Sequence, residues 1–187
     1  MHITLLRHGK PSFQLSGLVR AEALPHIANA YRLSGIIDTP PPSKTMVFAR
    51  QHDLFISSDL PRSVESAQAL GLPDIHLREP LFHETPIPHF SSGKMALPIG
   101  VWITVLRLLW LFGFSRNGES YSDARRRGRD AAERLANLAN EHGNVILIGH
   151  GFMNHFIAKE LNAIGWSGPV SPGKRFWEYA SYRYSHT

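Results

Sequence analysis

The sequence predicts an α/β domain built around a mostly parallel β-sheet, and two observations carry that prediction. Short apolar runs alternate with amphipathic stretches along the chain, which is the pattern of strands joined by helices. The run Val-Ile-Leu-Ile at 145–148 is continuously apolar and β-branched, as expected of a central strand covered on both faces. Because 187 residues suffice for one hydrophobic core, we expect a single three-layer α/β/α domain over residues 1–187.

The first half of the chain is predicted to contain three strands and two helices. Pro25 in a first turn and Gly35 at an end favour a helix between them. Residues 43–52 remain ambiguous between helix and loop. The predicted strands are residues 2–6, 54–57 and 75–78, and the predicted helices are residues 25–34 and 62–70.

The second half is predicted to contain a long helix over 120–142. Ser120 and Asp123 form an S-x-x-D capping pattern at the start of this helix. The strand at 145–148, a helix at 152–161 and an extended aromatic-rich segment at 176–184 follow. The long helix contains an arginine-rich run, and side chains spaced i,i+4 are expected to pair along its surface. The expected pairs are Asp123 with Arg127, Arg129 with Glu133, and Asp130 with Arg134.

The composition of the chain argues against several classes of partner and cofactor. The formal charge is +5, but no aromatic side chains or nucleic-acid motif accompany the basic run at 125–129, so no nucleic-acid partner is expected. The absence of Cys excludes disulfides, thiolate nucleophiles and Cys-ligated metals. It also fits a reducing compartment, and no signal-peptide pattern is visible, so the expected location is cytoplasmic. The histidines lack metal-ligand spacing, and no metal is expected.

Functional side chains follow four of the predicted strands, close to the point where each strand ends. In open α/β sheets ligands bind outside the carboxyl ends of the strands, so these groups are expected to meet in one crevice. The segments are Arg7-His8-Gly9, Ser58-Asp59 with Arg62, Glu84, and Gly149-His150-Gly151.

This ordered set resembles the histidine phosphatase superfamily, which has a phosphoglycerate mutase-like fold. The matching segments are L-L-R-H-G, S-S-D-L-P-R-S-V-E-S-A, a later Glu and G-H-G, and the resemblance runs from residue 3 to about residue 161. A softer likeness lies in Gly-Glu-Ser at 118–120 with Arg127 downstream.

The resemblance implies a role for each residue at the strand ends. His8 would be the nucleophile and would form a phosphohistidine, while Arg7, Arg62 and His150 would hold the phosphoryl oxygens. Glu84 would protonate the leaving oxygen and then help to activate water. Phosphoryl transfer needs positioning and charge neutralisation, which guanidinium groups supply without a metal or cofactor.

Two of these assignments leave alternatives open. Glu79 lies five residues before Glu84 and competes for the role of acid, although Glu84 is favoured because it begins the loop after the strand. Ser58 could bind a phosphate oxygen or cap the next helix, and capping is favoured.

The sequence also departs from the family pattern. Lys10-Pro11 follows Arg-His-Gly, and Gln14 stands where many members carry Asn. These positions face the substrate in family members, so Lys10 and Gln14 are expected substrate contacts, and the substrate stays open among sugar phosphates, nucleotides, phosphoproteins and lipid-like phosphates. The chain is short for a mutase, which favours a phosphomonoesterase, a histidine acid phosphatase-type enzyme. The alternatives are a phosphoglycerate mutase-type phosphotransferase and a non-catalytic phospho-ligand-binding protein.

An apolar stretch at 97–114 is long enough to approach a bilayer span, but Arg107 lies near its middle. We expect a helical insert at about 95–117 that forms a soluble lid or core helix, ahead of a dimer or partner face, with membrane-surface contact the least favoured alternative. Trp102, Trp110 and Phe112 are expected to wall the substrate pocket. The chain is expected to be a monomer or a homodimer.

Overall fold

A five-stranded sheet forms the centre of the molecule, in a computed structural model that describes residues 1–72 and 77–185. Its strands are β1 (His2–Arg7), β3 (Leu54–Ser57), β4 (Leu77–Arg78), β6 (Asn144–Gly149) and β7 (Tyr179–Arg183). The strand order is β4-β3-β6-β1-β7. Neighbouring strands are parallel except β7, which runs antiparallel to β1. The predicted α/β class with a mostly parallel sheet is confirmed.

Six α-helices occur in the described part of the chain. They are α1 (Leu24–Leu33), α2 (Ser43–Ala49), α3 (Pro61–Ala69), α4 (Ile99–Leu111), α5 (Tyr121–His142) and α6 (Gly151–Ala163). Two further strands, β2 (Leu18–Arg20) and β5 (Ala96–Pro98), form a small antiparallel sheet that leads directly into α4.

Both faces of the central sheet are covered, as the apolar run at 145–148 predicts. Val145 and Leu147 of β6 belong to the core cluster formed with α5 and α6. Ile146 and Ile148 belong to a second cluster, formed with α2 and α3 on the opposite face. Alternate residues of β6 are therefore buried on opposite sides, which requires a continuous apolar run rather than an alternating one.

Most predicted elements are present, with boundaries shifted by one or two residues. The ambiguous residues 43–52 contain helix α2. The predicted strand at 75–78 is observed at Leu77–Arg78, and residues 73–76 lie outside the described part. Ser120 caps α5 as predicted, because its Oγ accepts the backbone N–H of Asp123 at 3.1 Å.

The predicted ion pairs along α5 are wrong. Within the described residues, Arg127 pairs with Glu119 at 2.6 Å, Arg134 with Glu79 at 2.8 Å and Arg129 with Glu160 at 3.6 Å. An exposed i,i+4 pair contributes only about 0.2–0.5 kcal/mol, so carboxylates brought by the fold can replace it. The arginines of α5 thus connect this helix to other parts of the chain.

The apolar stretch at 97–114 forms strand β5 and helix α4, and α4 is buried along one side only. Trp102 and Trp110 are buried, and their indole N–H groups donate to the backbone oxygens of Val19 and Glu119, both at 2.8 Å. Phe112 is exposed. Among the described helices, none combines the length and apolar character that crossing a bilayer requires.

Candidate active site

His8 lies directly after β1, and its imidazole is buried. Its Nδ1 is 2.6 Å from the carbonyl oxygen of Gly9. A carbonyl oxygen only accepts, so Nδ1 carries the proton and Nε2 keeps a free lone pair. Burial, together with the Arg62 and Arg7 charges, lowers the pKa of His8 to about 3. The ring is therefore a neutral imidazole at physiological pH.

His150 lies directly after β6, which is the neighbour of β1, and this pairing brings the two histidines together. Their ring centroids are 4.9 Å apart. The pKa of His150 is well below its ordinary value because the ring is fully buried and close to His8 and Arg62. Its Nε2 is 2.6 Å from Ser58 Oγ. Within the described residues, its Nδ1 is buried and has no hydrogen-bond partner.

Ser58 thus contacts a site histidine, and its favoured role as a helix cap is wrong. Helix α3 begins after Leu60, and no side chain caps it there. The Ser58 hydroxyl approaches His150 more closely than it approaches the Leu60 backbone N–H, at 2.6 Å against 3.4 Å.

Arg62 and Arg7 bring two guanidinium groups toward the histidine pair. Arg62 is buried in the first turn of α3, where its guanidinium lies 4.9 Å from the centre of the Tyr31 ring and donates to the Tyr31 carbonyl at 3.3 Å. Ser66 connects α3 to the segment after β1, because its Oγ accepts the Gly9 N–H at 2.8 Å and donates to the Arg62 carbonyl at 2.5 Å. The fold therefore fixes both arginines beside His8.

Glu84 lies in the loop after β4, and its carboxylate contacts the start of the helix that follows His150. Its carboxylate accepts the backbone N–H groups of Phe152 at 3.3 Å and Met153 at 3.1 Å, in the first turn of α6. It also accepts the N–H of Thr85 at 2.9 Å. A helix N-terminus favours negative charge, so these contacts hold the carboxylate immediately after His150.

Glu79 is directed elsewhere. Its carboxylate accepts hydrogen bonds from Arg134 of α5, the shortest at 2.8 Å. Of the two competing carboxylates, Glu84 alone contacts the helix that follows His150.

Three further side chains support the Glu84 loop. Arg127 donates to the carbonyls of Leu81 at 3.0 Å and His83 at 2.7 Å while it pairs with Glu119. The position of Arg127 downstream of Gly-Glu-Ser was a signal for this role.

Arg107 and Asp59 hold the same loop from two other sides. Asp59 was expected in the crevice at the strand ends, but the sequence did not indicate this supporting role for either residue. Arg107 of α4 donates to Thr85 Oγ1 at 3.1 Å and to the Thr85 carbonyl at 2.8 Å. Its guanidinium lies 4.1 Å from the centre of the Phe152 ring. Asp59 hydrogen bonds to His83. The charge inside the apolar stretch, Arg107, was the available signal.

A segment before β7 covers His8, and the sequence showed it only as aromatic-rich. The Phe176 ring centroid lies 5.7 Å from that of His8, and the Arg7 guanidinium lies 4.6 Å from the Phe176 ring. Arg7 also donates to the Lys174 carbonyl. A Cβ at position 9 would overlap the Trp177 ring, so Gly9 allows this close approach. We call Lys174–Trp177 the cover segment.

The predicted substrate contacts are placed differently from one another. Lys10 and Gln14 are exposed, whereas Trp102 is buried in a cluster with Val19 and Leu106, which does not support its role as a pocket wall.

Two cavities, of about 460 and 340 Å³, open near the amino ends of the strands, and neither includes the histidine pair. The described residues contain no cluster of three potential metal ligands.

Comparison with known proteins is informative at the level of structure. No family model matches the chain, and no curated protein matches it. A mycobacterial glucosyl-3-phosphoglycerate phosphatase superposes with a TM-score of 0.59 at 20% identity, covering 96% of this chain and 88% of that one. The chain has the phosphoglycerate mutase-like fold. A phosphoserine phosphatase from Entamoeba histolytica shares this fold with a TM-score of 0.60 at 16% identity, covering 99% of this chain and 91% of that one.

A third structure with the phosphoglycerate mutase-like fold is the alpha-ribazole phosphatase from Shigella flexneri. It has a TM-score of 0.54 at 17% identity and covers 86% of this chain and 79% of that one. The resemblance found in the sequence and the likeness in structure thus agree on the fold.

Proposed function

We propose that this protein is a phosphomonoester hydrolase that works through a phosphohistidine on His8. One observation carries the proposal: the neutral His8 ring, with its Nε2 lone pair free, lies beside His150 and close to two guanidinium groups. The three structures compared above are named as phosphatases. Phosphoryl transfer requires this combination of an oriented nucleophile and fixed positive charge.

In the first step, Nε2 of His8 attacks phosphorus, the bond to the leaving oxygen breaks, and that oxygen takes a proton from Glu84. Arg62 and the Nδ1 of His150 donate to the phosphoryl oxygens, with Ser58 holding the His150 ring. Arg7 exchanges the Lys174 carbonyl for a phosphoryl oxygen.

In the second step, Glu84 accepts a proton from water, whose oxygen attacks phosphorus. The phosphorus–nitrogen bond breaks, its electron pair returns to Nε2, and inorganic phosphate leaves. Glu84 enters the first step protonated and the second step as a carboxylate, and it can serve both transfers because α6 fixes it next to His150.

The proposed reaction needs no metal, since arginine side chains supply the positive charge at every pH of interest. Catalysis is expected to be unchanged by EDTA, and activity that EDTA removes and a divalent cation restores would contradict this part. A cytoplasmic location belongs to the same proposal, on the basis of the Cys-free composition.

The test is phosphate release from a panel containing a sugar phosphate, a nucleotide, a phosphoamino acid, a phosphopeptide and a lipid phosphate. We expect release from at least one compound by the wild type and by His155→Asn, which changes an exposed histidine. His8→Asn should be inactive. Phosphate transfer to a monophosphate acceptor after priming with a bisphosphate would indicate a mutase-type transferase. Binding of phosphate without turnover would indicate a non-catalytic phospho-ligand-binding protein.

A further inference from the structure

Helix α4 is apolar on both of its sides, although only one side is packed against the protein. Ile99, Trp102, Leu106 and Trp110 are buried. The opposite side exposes a continuous row of apolar residues, which are between 37% and 88% exposed. We call this row the outer face of α4, and its members are Val101, Val105, Leu108, Leu109, Leu111 and Phe112. Contiguous exposed apolar surface of this kind marks a site of interaction.

The segment of the chain that contains α4 carries charge of one sign. Between Glu84 and Glu119 the chain contains no Asp or Glu, and its charged side chains there are Lys94, Arg107 and Arg116. Lys94 and Arg116 are exposed at opposite ends of α4, and neither takes part in an ion pair among the described residues. Apolar side chains flanked by unpaired cations complement the surface of an anionic bilayer. The apolar side chains can enter the acyl-chain region, and the cations can contact the negatively charged headgroups above it.

We propose that the outer face of α4 docks this protein onto an anionic membrane surface. A bilayer that contains anionic lipids accepts aliphatic side chains and attracts Lys94 and Arg116 from its headgroups. A second copy of the chain would instead bring the same cations close to one another. Thr104, exposed among these residues, donates its hydroxyl to the Gly100 carbonyl of the same helix at 2.9 Å. The outer face itself consists of Val, Leu and Phe, and Val and Leu are under-represented at the energetic centres of protein–protein interfaces.

The geometry of α4 fits docking in the membrane plane. Its 13 residues extend about 20 Å, less than the roughly 30 Å of a hydrocarbon core. Arg107, on the flank of the same helix, holds Thr85 beside the Glu84 loop. The crevice at the histidine pair is therefore connected directly to the docking helix.

The binding test uses sedimentation of the full chain with vesicles of neutral phosphatidylcholine, alone or mixed with anionic phosphatidylglycerol. We expect binding to the anionic vesicles at low salt and release at 0.5 M salt, at which exposed charges are screened. Leu108→Glu should lower the partition coefficient by about tenfold or more. Val47→Glu is the matched control, since it adds the same charge at an exposed position of α2 and should bind like the wild type.

A second measurement reports which residues enter the lipid. The chain has no Cys, so Leu111→Cys and Val47→Cys each give one site for a polarity-sensitive fluorophore. The label at 111 should shift to a shorter emission wavelength with anionic vesicles, whereas the label at 47 should not. Circular dichroism of the variants confirms that they are folded.

Three results would overturn the proposal. The first is that the wild type fails to sediment with anionic vesicles. The second is equal loss of binding in Leu108→Glu and Val47→Glu. The third is a concentration-dependent dimer in lipid-free buffer that Leu108→Glu abolishes, since it would assign the outer face to contact between copies. None of these measurements uses catalysis, so they stand apart from the proposed hydrolase activity.

Discussion

The Nδ1 of His8 donates to the carbonyl oxygen of Gly9 across 2.6 Å. This bond between adjacent residues fixes the tautomer, because it assigns the proton to Nδ1 and leaves Nε2 as the free nitrogen. Gly9 itself is held by Ser66, whose Oγ accepts its N–H. The His8 ring is thus oriented by the backbone that follows β1, as the proposed role of nucleophile requires, without an acidic partner on Nδ1.

Stability should depend on pH through His8. Its pKa is about 3 in the folded chain and 6.5 ordinarily, so between these values the unfolded chain binds a proton that the folded chain does not. Stability therefore falls as pH falls from 6.5 toward 3, by up to about 1.4 kcal/mol per pH unit for this one group. Urea unfolding from pH 7.5 to 4.5 should show a smaller slope in His8→Asn. The control His155→Asn should keep the wild-type slope, and equal slopes in all three proteins would contradict the account.

The leaving group should reveal the role of Glu84. An alkyl phosphate needs a proton on its departing oxygen, whereas a nitrophenolate hardly does, and general acid catalysis contributes about 10²–10⁴-fold. Glu84→Gln should therefore cost on the order of 10²-fold in kcat with the alkyl ester and far less with the nitrophenyl ester. Glu79→Gln, which removes a partner of Arg134, should leave the ratio of the two rates unchanged. The opposite pattern would assign the acid to Glu79.

Arg127 should stabilise the fold more than its neighbour does. Arg127 is mostly buried, pairs with Glu119 and donates to two carbonyls of the Glu84 loop. We expect Arg127→Met to lower the free energy of unfolding by about 1–3 kcal/mol. Arg126 is exposed and, among the residues that the structure describes, pairs only with Asp123 of its own helix. Arg126→Met should therefore change that free energy by less than about 0.5 kcal/mol. Chemical denaturation distinguishes the two, and equal losses would refute the assignment.

The cover segment should control access to His8. The Phe176 ring lies against both His8 and Arg7, and one such contact contributes about 0.5–1.5 kcal/mol. Phe176→Ala should therefore raise the rate at which diethyl pyrocarbonate modifies His8 by about twofold to tenfold, measured by peptide mass mapping. Phe112→Ala, which truncates an exposed ring elsewhere, should react like the wild type. An unchanged rate in Phe176→Ala would mean that another element limits access.

The elements of the central sheet could be predicted because they depend on local patterns. The apolar run of β6 reflects burial on two faces, and Ser120 caps α5 through a bond three residues away. The ends of β1 and β6 could also be anticipated as neighbours, because parallel strands present their carboxyl ends at one edge. The meeting of His8 and His150 follows from this rule.

The features of the site that could not be predicted from the sequence depend on contacts between residues far apart in the chain. Arg127 and Glu119 are eight residues apart, but Arg127 reaches the Glu84 loop only because α5 packs beside it. Nothing local to Phe176 indicates that its ring lies over a residue 168 positions earlier. The local sequence around Ser58 favoured a helix cap, but the fold brings His150 within hydrogen-bond distance of the Ser58 hydroxyl, and that contact is the one observed.

Trapping of the phosphoenzyme decides whether His8 carries the phosphoryl group. Wild-type protein is mixed with a labelled phosphomonoester that it hydrolyses, quenched within milliseconds and digested for peptide mapping under conditions that preserve phosphohistidine. The account predicts an acid-labile phosphoryl group on the peptide that contains His8, and no such label in His8→Asn. A label on Ser58 or Glu84, or full turnover by His8→Asn, would contradict it.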